Sequence, residues 1–161
     1  MIKILLISII ISLSVYTGYQ AGDYHNRRYK FYKNLNKFNN RNLINLIGQK
    51  NSIKVIIDDF IPDCNSKSLI SLLKVYLSSI INKQTFNCNN SDFSKDENLC
   101  IEEYFNNLGK NETKAEKQNL EYYEKIFTDL ENSTKEKYYK YSTMFLKLSF
   151  LIGCTIVILI I

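Results

Sequence analysis

The chain has 161 residues, a formal net charge of +5, five glycines and one proline. This length corresponds to a single domain. So little glycine and proline excludes a turn-rich β-sandwich, which needs turn residues about every 8–12 positions.

The N-terminal stretch Met1–Val15 combines one lysine with an apolar run. This pattern is typical of a secretory signal peptide, because the apolar run is too short to span a bilayer comfortably. Small residues at positions 17, 18, 21 and 22 predict cleavage within residues 17–22. We therefore assign residues 1–22 as a signal peptide, with a retained signal anchor as the alternative.

Basic residues are concentrated just after this leader. The pattern favours a solvated helix face, with an acidic glycan, phospholipid or receptor surface as the alternative. Nucleic acid is not expected as a partner, because an exported protein rarely meets it. The basic positions before Asp58, which have only Asp23 as a counter-charge, are Arg27, Arg28, Lys30, Lys33, Lys37, Arg41, Lys50 and Lys54.

Helical periodicity dominates the middle of the chain. Residues 29–47 carry one apolar stripe, and residues 66–82 carry apolar side chains at i, i+3, i+4 and i+7 after a capping Asn65 or Ser66. Residues 52–61 fit a helix or a strand, and residues 83–99 have the composition of a surface loop. Further helices are predicted at residues 101–108, 114–130 and 135–141.

The final segment, Met144–Ile161, is apolar except for Lys147. Eighteen helical residues reach about 27 Å, close to a hydrocarbon core of about 30 Å, and Lys147 can extend toward the headgroups. Three readings compete: a membrane tail, a lipid-anchor signal that is removed, and the last core helix of a soluble bundle.

These elements predict an all-α fold, a small helical bundle with a hydrophobic C-terminal helix. The predicted order is a signal peptide at residues 1–22, a helical extracellular domain at 23–143 and the hydrophobic helix at 144–161.

Catalysis is not expected. His25 is the sole histidine and lies next to the leader, and the cysteines lack metal-ligand spacing. No glycine-rich loop follows a strand, so we predict no catalytic site, no metal and no cofactor.

Cys64, Cys88, Cys100 and Cys154 are candidates for disulfides, as in secreted domains. A bridge between Cys88 and Cys100 would stabilise the domain by roughly 3 kcal/mol. If Cys154 lies in a membrane, the other three cannot all pair. If it lies in a core, two disulfides can form.

Three Asn-x-Ser/Thr sequons begin at Asn89, Asn111 and Asn132 and predict glycosylation in an exported protein.

The stretch Val55–Ile81 resembles the central region of the interleukin-10 family of helical cytokines. The resemblance is carried by Asp59-Phe60, by Cys64 and by the Leu72–Ile80 pattern L-L-x-x-Y-L-x-x-I. The family's first cysteine is absent, and Cys88 and Cys100 do not match its later ones.

This resemblance implies a four-helix-cytokine-like ligand, secreted or surface-displayed, in the manner of virus-encoded mimics. Its partner would be a cell-surface receptor that it binds to modulate immune signalling, with homodimerisation left open. The contacts expected from the resemblance and from exposure are Arg27, Lys30, Lys37 and Arg41. The alternative is a membrane-anchored surface protein with a structural or adhesion ectodomain.

Overall fold

The computed structural model describes residues 2–49, 51–110 and 112–160, and this part of the chain contains helices and no strand. The helices are α1 (Ile2–Ile44), α2 (Ile53–Phe60), α3 (Lys67–Ile81), α4 (Lys95–Asn107) and α5 (Thr113–Ile160). A π-helical turn at Asn45–Gln49 follows α1, and a 3-10 turn at Ile61–Asp63 follows α2. The predicted all-α fold with a hydrophobic C-terminal helix is confirmed.

Helix starts follow capping chemistry. Ser52 and Ser66 accept hydrogen bonds from the backbone N–H of Val55 and Leu69 at the starts of α2 and α3. The ambiguous stretch at residues 52–61 is therefore helical up to Phe60.

The predicted loop at residues 83–99 ends five residues early, because α4 begins at Lys95. Ser94 and Glu97 form a reciprocal capping box: each side chain accepts from the backbone N–H of the other residue, at 3.2 and 2.7 Å. The Ser-x-x-Glu sequence carried this signal.

The helices predicted separately at residues 114–130, 135–141 and 144–161 are one continuous helix, α5. Asn132-Ser133-Thr134 lies within it rather than at a break, since no proline or glycine interrupts the sequence before Gly153.

The chain divides into two compact units. We call the first, Met1–Tyr29 with Asn132–Ile161, the helix pair, and the second, Lys30–Glu131, the helical domain. This division differs from the predicted boundaries at residues 22 and 143. The cleavage of residues 1–22 and the boundary at residue 143 stay predictions.

The helical domain has a core dominated by aromatic rings, which bury large apolar areas and pack edge to face. Tyr104 contacts Phe105, Tyr123 and Phe127 with ring centroids 5.0 Å apart in each case. The most deeply buried side chains are Tyr32, Tyr104, Phe31, Phe38, Phe105, Phe127, Leu35, Ile56, Ile57, Leu69, Leu73 and Ile101.

The turn between α4 and α5 depends on Gly109, whose φ of +73° is accessible to glycine at no steric cost. Its N–H donates to the buried carboxylate of Glu116 at 2.8 Å. A Cβ at this position would lie 2.5 Å from Cδ1 of Ile53, so both backbone angle and space require glycine.

Candidate functional site

The interface of the helix pair is built from small residues. Ser14, Gly18 and Gly22 recur every four residues along α1 and therefore share one face. The Ser14 hydroxyl donates to the backbone carbonyl of Ser149 on α5. A Cβ on Gly18 would lie 2.5 Å from Oγ of Ser149, so the backbones approach closely only because side chains are absent.

The same pattern extends along the interface in both directions. A Cβ on Gly153 would lie 2.9 Å from Cβ of Ser14, and one on Gly22 would lie 3.3 Å from Cα of Ser142. As the contact residue on α1 advances from 14 to 22, its partner on α5 retreats from 153 to 142. The two helices are therefore antiparallel.

Beyond Gly22 the small residues give way to aromatic rings. His25 stacks on Tyr141 with centroids 4.7 Å apart, and Tyr29 stacks on Tyr138 at 6.0 Å. Close backbone packing thus occurs in the apolar part of the pair, and ring stacking occurs in its charged part.

The outer faces of the pair carry large apolar side chains. Ile158 and Leu159 are 76% and 80% exposed, whereas Gly18, Gly22 and Gly153 are buried. The large apolar side chains of the pair that are exposed are Ile9, Leu13, Val15, Tyr16, Tyr19, Tyr24, Tyr139, Met144, Leu148, Phe150, Leu151, Ile152, Ile156, Ile158 and Leu159. This arrangement reverses that of a water-soluble helix pair, which buries its large apolar residues.

Within the described residues, one helix, Thr113–Leu159, is long and apolar enough to cross a membrane. Only 6% of its most apolar stretch is buried. A core helix of a soluble bundle would have that stretch covered by neighbouring side chains.

Two threonines in the apolar part of the pair bond within their own helices. Thr17 donates to the Ser14 carbonyl at 2.7 Å, and Thr155 donates to the Leu151 carbonyl at 2.9 Å. Such hydroxyl-to-backbone bonds satisfy the donor without water.

A basic pocket of about 240 Å³ lies in the charged part of the pair. Burial lowers the pKa of His25, and the positive charges of Arg28 and Lys137 lower it further. The pocket is lined by Tyr24, His25, Arg28, Thr134, Lys137 and Tyr141, none of which is acidic.

A second feature lies in the helical domain, where side chains of α4 bind the backbone of residues 86–90, which we call the extended segment. Asn106 bonds both backbone groups of Phe86, at 2.9 and 2.8 Å, and Glu102 accepts from the N–H of Cys88 at 3.1 Å. Asn98 bonds both backbone groups of Asn90, at 3.1 Å each.

We call these hydrogen bonds between side chains of α4 and the backbone of the extended segment the ladder, and their spacing has a simple origin. Four helical residues rise about 6 Å, and two extended residues advance about 6.6 Å, so every fourth side chain of α4 meets every second residue of the segment. The segment and α3 line an open cleft of about 590 Å³, whose walls include Lys67, Ser71, Val75, Phe86 and Asn89.

The four cysteines are free thiols in this structure, Cys64 and Cys88 being buried and Cys100 and Cys154 partly buried. The Cys88 thiol donates to Oδ1 of Asn98 at 3.3 Å, and burial raises its pKa to about 11, with a further contribution from Glu102. The predicted disulfides remain a prediction.

The four residues assigned to receptor contact all lie on α1, Arg27 in the helix pair and the other three in the helical domain. Arg27 pairs with Asp23 at 3.1 Å in the helix pair, whereas Arg41 pairs with Asp63 at 3.0 Å in the helical domain. Lys37 is exposed and Lys30 is partly buried.

Of the sequon asparagines, Asn89 is exposed on the extended segment and Asn132 is exposed on α5. Asn111 lies outside the described residues. Among the described residues, no group of three or more His, Cys, Asp or Glu side chains is placed to hold a metal ion.

The fold and the helix pair define an all-α protein whose helical domain is inserted, in sequence, between two apolar helices that pack through small residues. The profile of the stage III sporulation protein AB family matches residues 67–161, from the first residue of α3 to the end of the chain. This is more than half of the sequence, and the chain belongs to this family. No curated protein and no solved structure shows significant similarity to it.

Family membership corrects the functional expectations. The interleukin-10 resemblance is wrong, and with it the cytokine-like ligand, the receptor partner, the virus-encoded mimic, the glycoprotein assignment and the secreted or outward-facing location. The adhesion alternative is likewise unsupported. The misleading pattern is explained by packing: Leu72, Leu73 and Tyr76 are buried core residues, and any helix with one buried face shows this periodicity.

Sequence reasoning missed the small-residue interface. Gly18 and Gly22 were assigned to a cleavage zone, although with Ser14 they have the four-residue spacing that membrane helices use for close packing. Ser142, Ser149 and Gly153 offer the complementary signal on α5.

Proposed function

We propose that the chain is a membrane-anchored component of the bacterial sporulation apparatus, and that it acts by binding other components rather than by catalysis. In this proposal both apolar helices are retained and form a hairpin-like pair in the membrane. The helical domain is held at the membrane surface.

The single observation that carries the proposal is the inside-out pattern of the helix pair. Small residues face the partner helix, and large apolar residues face outward. Eight large apolar side chains of α5 between Met144 and Leu159 are exposed. At about 1.5–3 kcal/mol for full burial of each, moving these partly exposed side chains from water into lipid is worth on the order of 10 kcal/mol.

The dimensions agree with a bilayer. From Tyr141 to Ile160, α5 rises about 28 Å, close to a hydrocarbon core of about 30 Å. Lys147 is exposed within this stretch. Helical side chains tilt toward the helix N-terminus, so its ammonium group extends toward the surface near Tyr141.

Charge distribution supports a cytoplasmic helical domain. The sequence at the domain side of the helices is rich in lysine and arginine, whereas Lys3 is the one basic residue among residues 1–22. Basic flanks favour the cytoplasmic side during insertion. The basic residues on the domain side are Arg27, Arg28, Lys30, Lys33, Lys37, Lys135, Lys137 and Lys140.

The proposal of a non-catalytic role is supported by the surroundings of His25. Its ring stacks on Tyr141 in the helix pair, and the residues lining its pocket include no carboxylate or thiol. The pocket therefore lacks the carboxylate of a Ser–His–Asp triad and the thiol of a Cys–His pair.

The membrane role is tested by alkaline carbonate extraction of the full chain from bacterial membranes. We expect the protein in the pellet. The double variant Leu151→Lys with Ile158→Lys should shift it toward the supernatant, because each buried charge costs about 2.5–3.5 kcal/mol in the membrane. The control Tyr139→Lys, outside the apolar stretch, should stay in the pellet. Release of the unmodified chain would refute the proposal.

Orientation is tested separately with Asn89→Cys in a chain whose natural cysteines are replaced by alanine. In intact protoplasts, an impermeant maleimide should react with it only after lysis. Reaction before lysis would place the helical domain outside and contradict the charge argument.

A further inference from the structure

We propose that the basic pocket of the helix pair binds the phosphate group of an anionic phospholipid. This inference rests on the membrane placement of the pair, and it adds a specific ligand to it. The ligand class is a phosphodiester headgroup with a net negative charge, carried on acyl chains that lie along the apolar helices.

The first argument is charge. Arg28 from α1 and Lys137 from α5 line one pocket of about 240 Å³ with no carboxylate among the lining residues. The acidic residues next in sequence to lining residues are Asp23 and Glu136, and neither lines the pocket; Asp23 pairs with Arg27 at 3.1 Å. Two cations held together in a concave site attract an anion more strongly than either alone.

The electrostatic coupling of these groups is visible at His25. Arg28 and Lys137 each lower the pKa of its ring, in addition to the effect of burial. Both positive charges therefore lie close enough to act on the His25 ring.

The second argument is the geometry of the donors. The Arg28 guanidinium donates to the Tyr24 hydroxyl at 3.2 Å and lies 5.9 Å from the centre of the same ring. These contacts orient the planar group, and an oriented guanidinium binds phosphate oxygens through paired N–H donors. Lys137 adds a second charged donor from the opposite helix.

The third argument is depth. The pocket begins two residues after Gly22 and ends three residues before Met144, at the boundary between the apolar and charged parts of the pair. Tyr24 and Tyr141 flank it, and tyrosine rings are enriched at the level of lipid headgroups. Basic pockets at this level are the typical sites for anionic lipid headgroups.

The test uses the full chain in a neutral detergent and isothermal titration with short-chain lipids. The probes are dioctanoyl phosphatidylglycerol, dioctanoyl phosphatidylcholine and glycerol 3-phosphate. We expect saturable binding of phosphatidylglycerol, about tenfold tighter than that of phosphatidylcholine. Glycerol 3-phosphate, which has the phosphate without the chains, should bind far more weakly.

The double variant Arg28→Gln with Lys137→Gln should remove the preference for phosphatidylglycerol. Its matched control, Arg27→Gln with Lys135→Gln, removes the same formal charge from residues that do not line the pocket and should keep the preference. Equal loss in both variants would indicate general surface charge and would overturn the proposal. So would an unchanged preference in the pocket variant.

Tight binding of glycerol 3-phosphate would indicate a soluble phosphate ligand and would overturn the lipid assignment. Carbonate extraction of the same variants separates this inference from the proposed function. A pocket variant that stays in the membrane pellet but loses lipid preference supports both proposals. If the unmodified chain stays in the membrane pellet but shows no lipid preference, the lipid-binding proposal is refuted and the membrane proposal stands.

Discussion

Replacing Gly18 by alanine is expected to destabilise the helix pair. The added Cβ would lie 2.5 Å from Oγ of Ser149 and 2.9 Å from the backbone carbonyl of Phe145, whereas ordinary contacts are 3.4–4 Å. The Ser149 side chain can rotate away, but the Phe145 carbonyl belongs to the helix backbone. The helices must therefore separate locally by about half an ångström, which forfeits a quarter or more of the dispersion energy across the contact.

The magnitude follows from two contributions. Overpacking of a close interface costs about 1–3 kcal/mol. Weakening of the bond from Ser14 to the Ser149 carbonyl adds about 0.6 kcal/mol, the average for hydrogen bonds between membrane helices. We expect the pair to lose about 1.6–3.6 kcal/mol in all.

A disulfide reporter measures this loss in the full chain. A Cβ on Gly22 would lie 3.5 Å from Cβ of Ser142. This separation fits a disulfide, so Gly22→Cys with Ser142→Cys should cross-link when the natural cysteines are replaced by alanine. Titration against glutathione gives the closing equilibrium, and Gly18→Ala should lower it by about 10–400-fold, since 1.4 kcal/mol corresponds to tenfold.

The control Ala21→Leu adds more volume on the exposed side of the same helix and should leave the equilibrium unchanged. The reporter Ala21→Cys with Thr143→Cys, at exposed neighbouring positions, should cross-link poorly. If Gly18→Ala closes the disulfide as readily as the parent, the small-residue interface does not hold the pair together and the reasoning fails.

Three further predictions concern the helical domain. Asn106→Ala removes two hydrogen bonds to the Phe86 backbone and should lower the free energy of unfolding, measured in urea, by about 2 kcal/mol. The control Asn107→Ala changes an exposed side chain and should have little effect. Equal effects of the two substitutions would show that the ladder does not stabilise the domain. Gly109→Ala forces a positive φ on a side chain and should cost about 1–2 kcal/mol, so an unchanged melting temperature would contradict the turn geometry. The raised pKa of Cys88, about 11, means that the folded state holds the thiol proton more tightly than the unfolded state. Its stabilising effect is complete below pH 9 and declines as the pH rises toward 11. Cys88→Ala should flatten the fall in stability over this range, and an unaltered slope would refute the assignment.

Much of the structure of the helical domain could be predicted from the sequence. The leucine periodicity of α3 and its Ser66 cap predicted a helix over residues 66–82, and α3 spans Lys67–Ile81. This succeeds because an apolar stripe at helical spacing has one stable solution, burial against a neighbour. The start of α4 was missed because asparagine-rich composition was given more weight than the Ser94–Glu97 capping signal.

Only part of the candidate site could be predicted from the sequence. The apolar C-terminal segment and the basic stretch after the leader were recognised, but Gly18, Gly22 and Gly153 were not connected. Glycine has no side chain from which a contact could be predicted, so its role is seen only in the structure, where another backbone lies against it. The pocket formed by Arg28 and Lys137 was hidden for a similar reason, because its two cations are more than a hundred positions apart in the sequence.

The amino-acid sequence by itself determined the all-α class, the two apolar segments and their basic flanks, because helical periodicity and hydropathy are local properties. Tertiary structure decided that the two apolar segments are antiparallel partners and that small residues lie between them. It also decided that asparagine and glutamate side chains of α4 hold an extended segment in place. These features depend on distances between residues remote in the chain, and a one-dimensional pattern does not contain those distances.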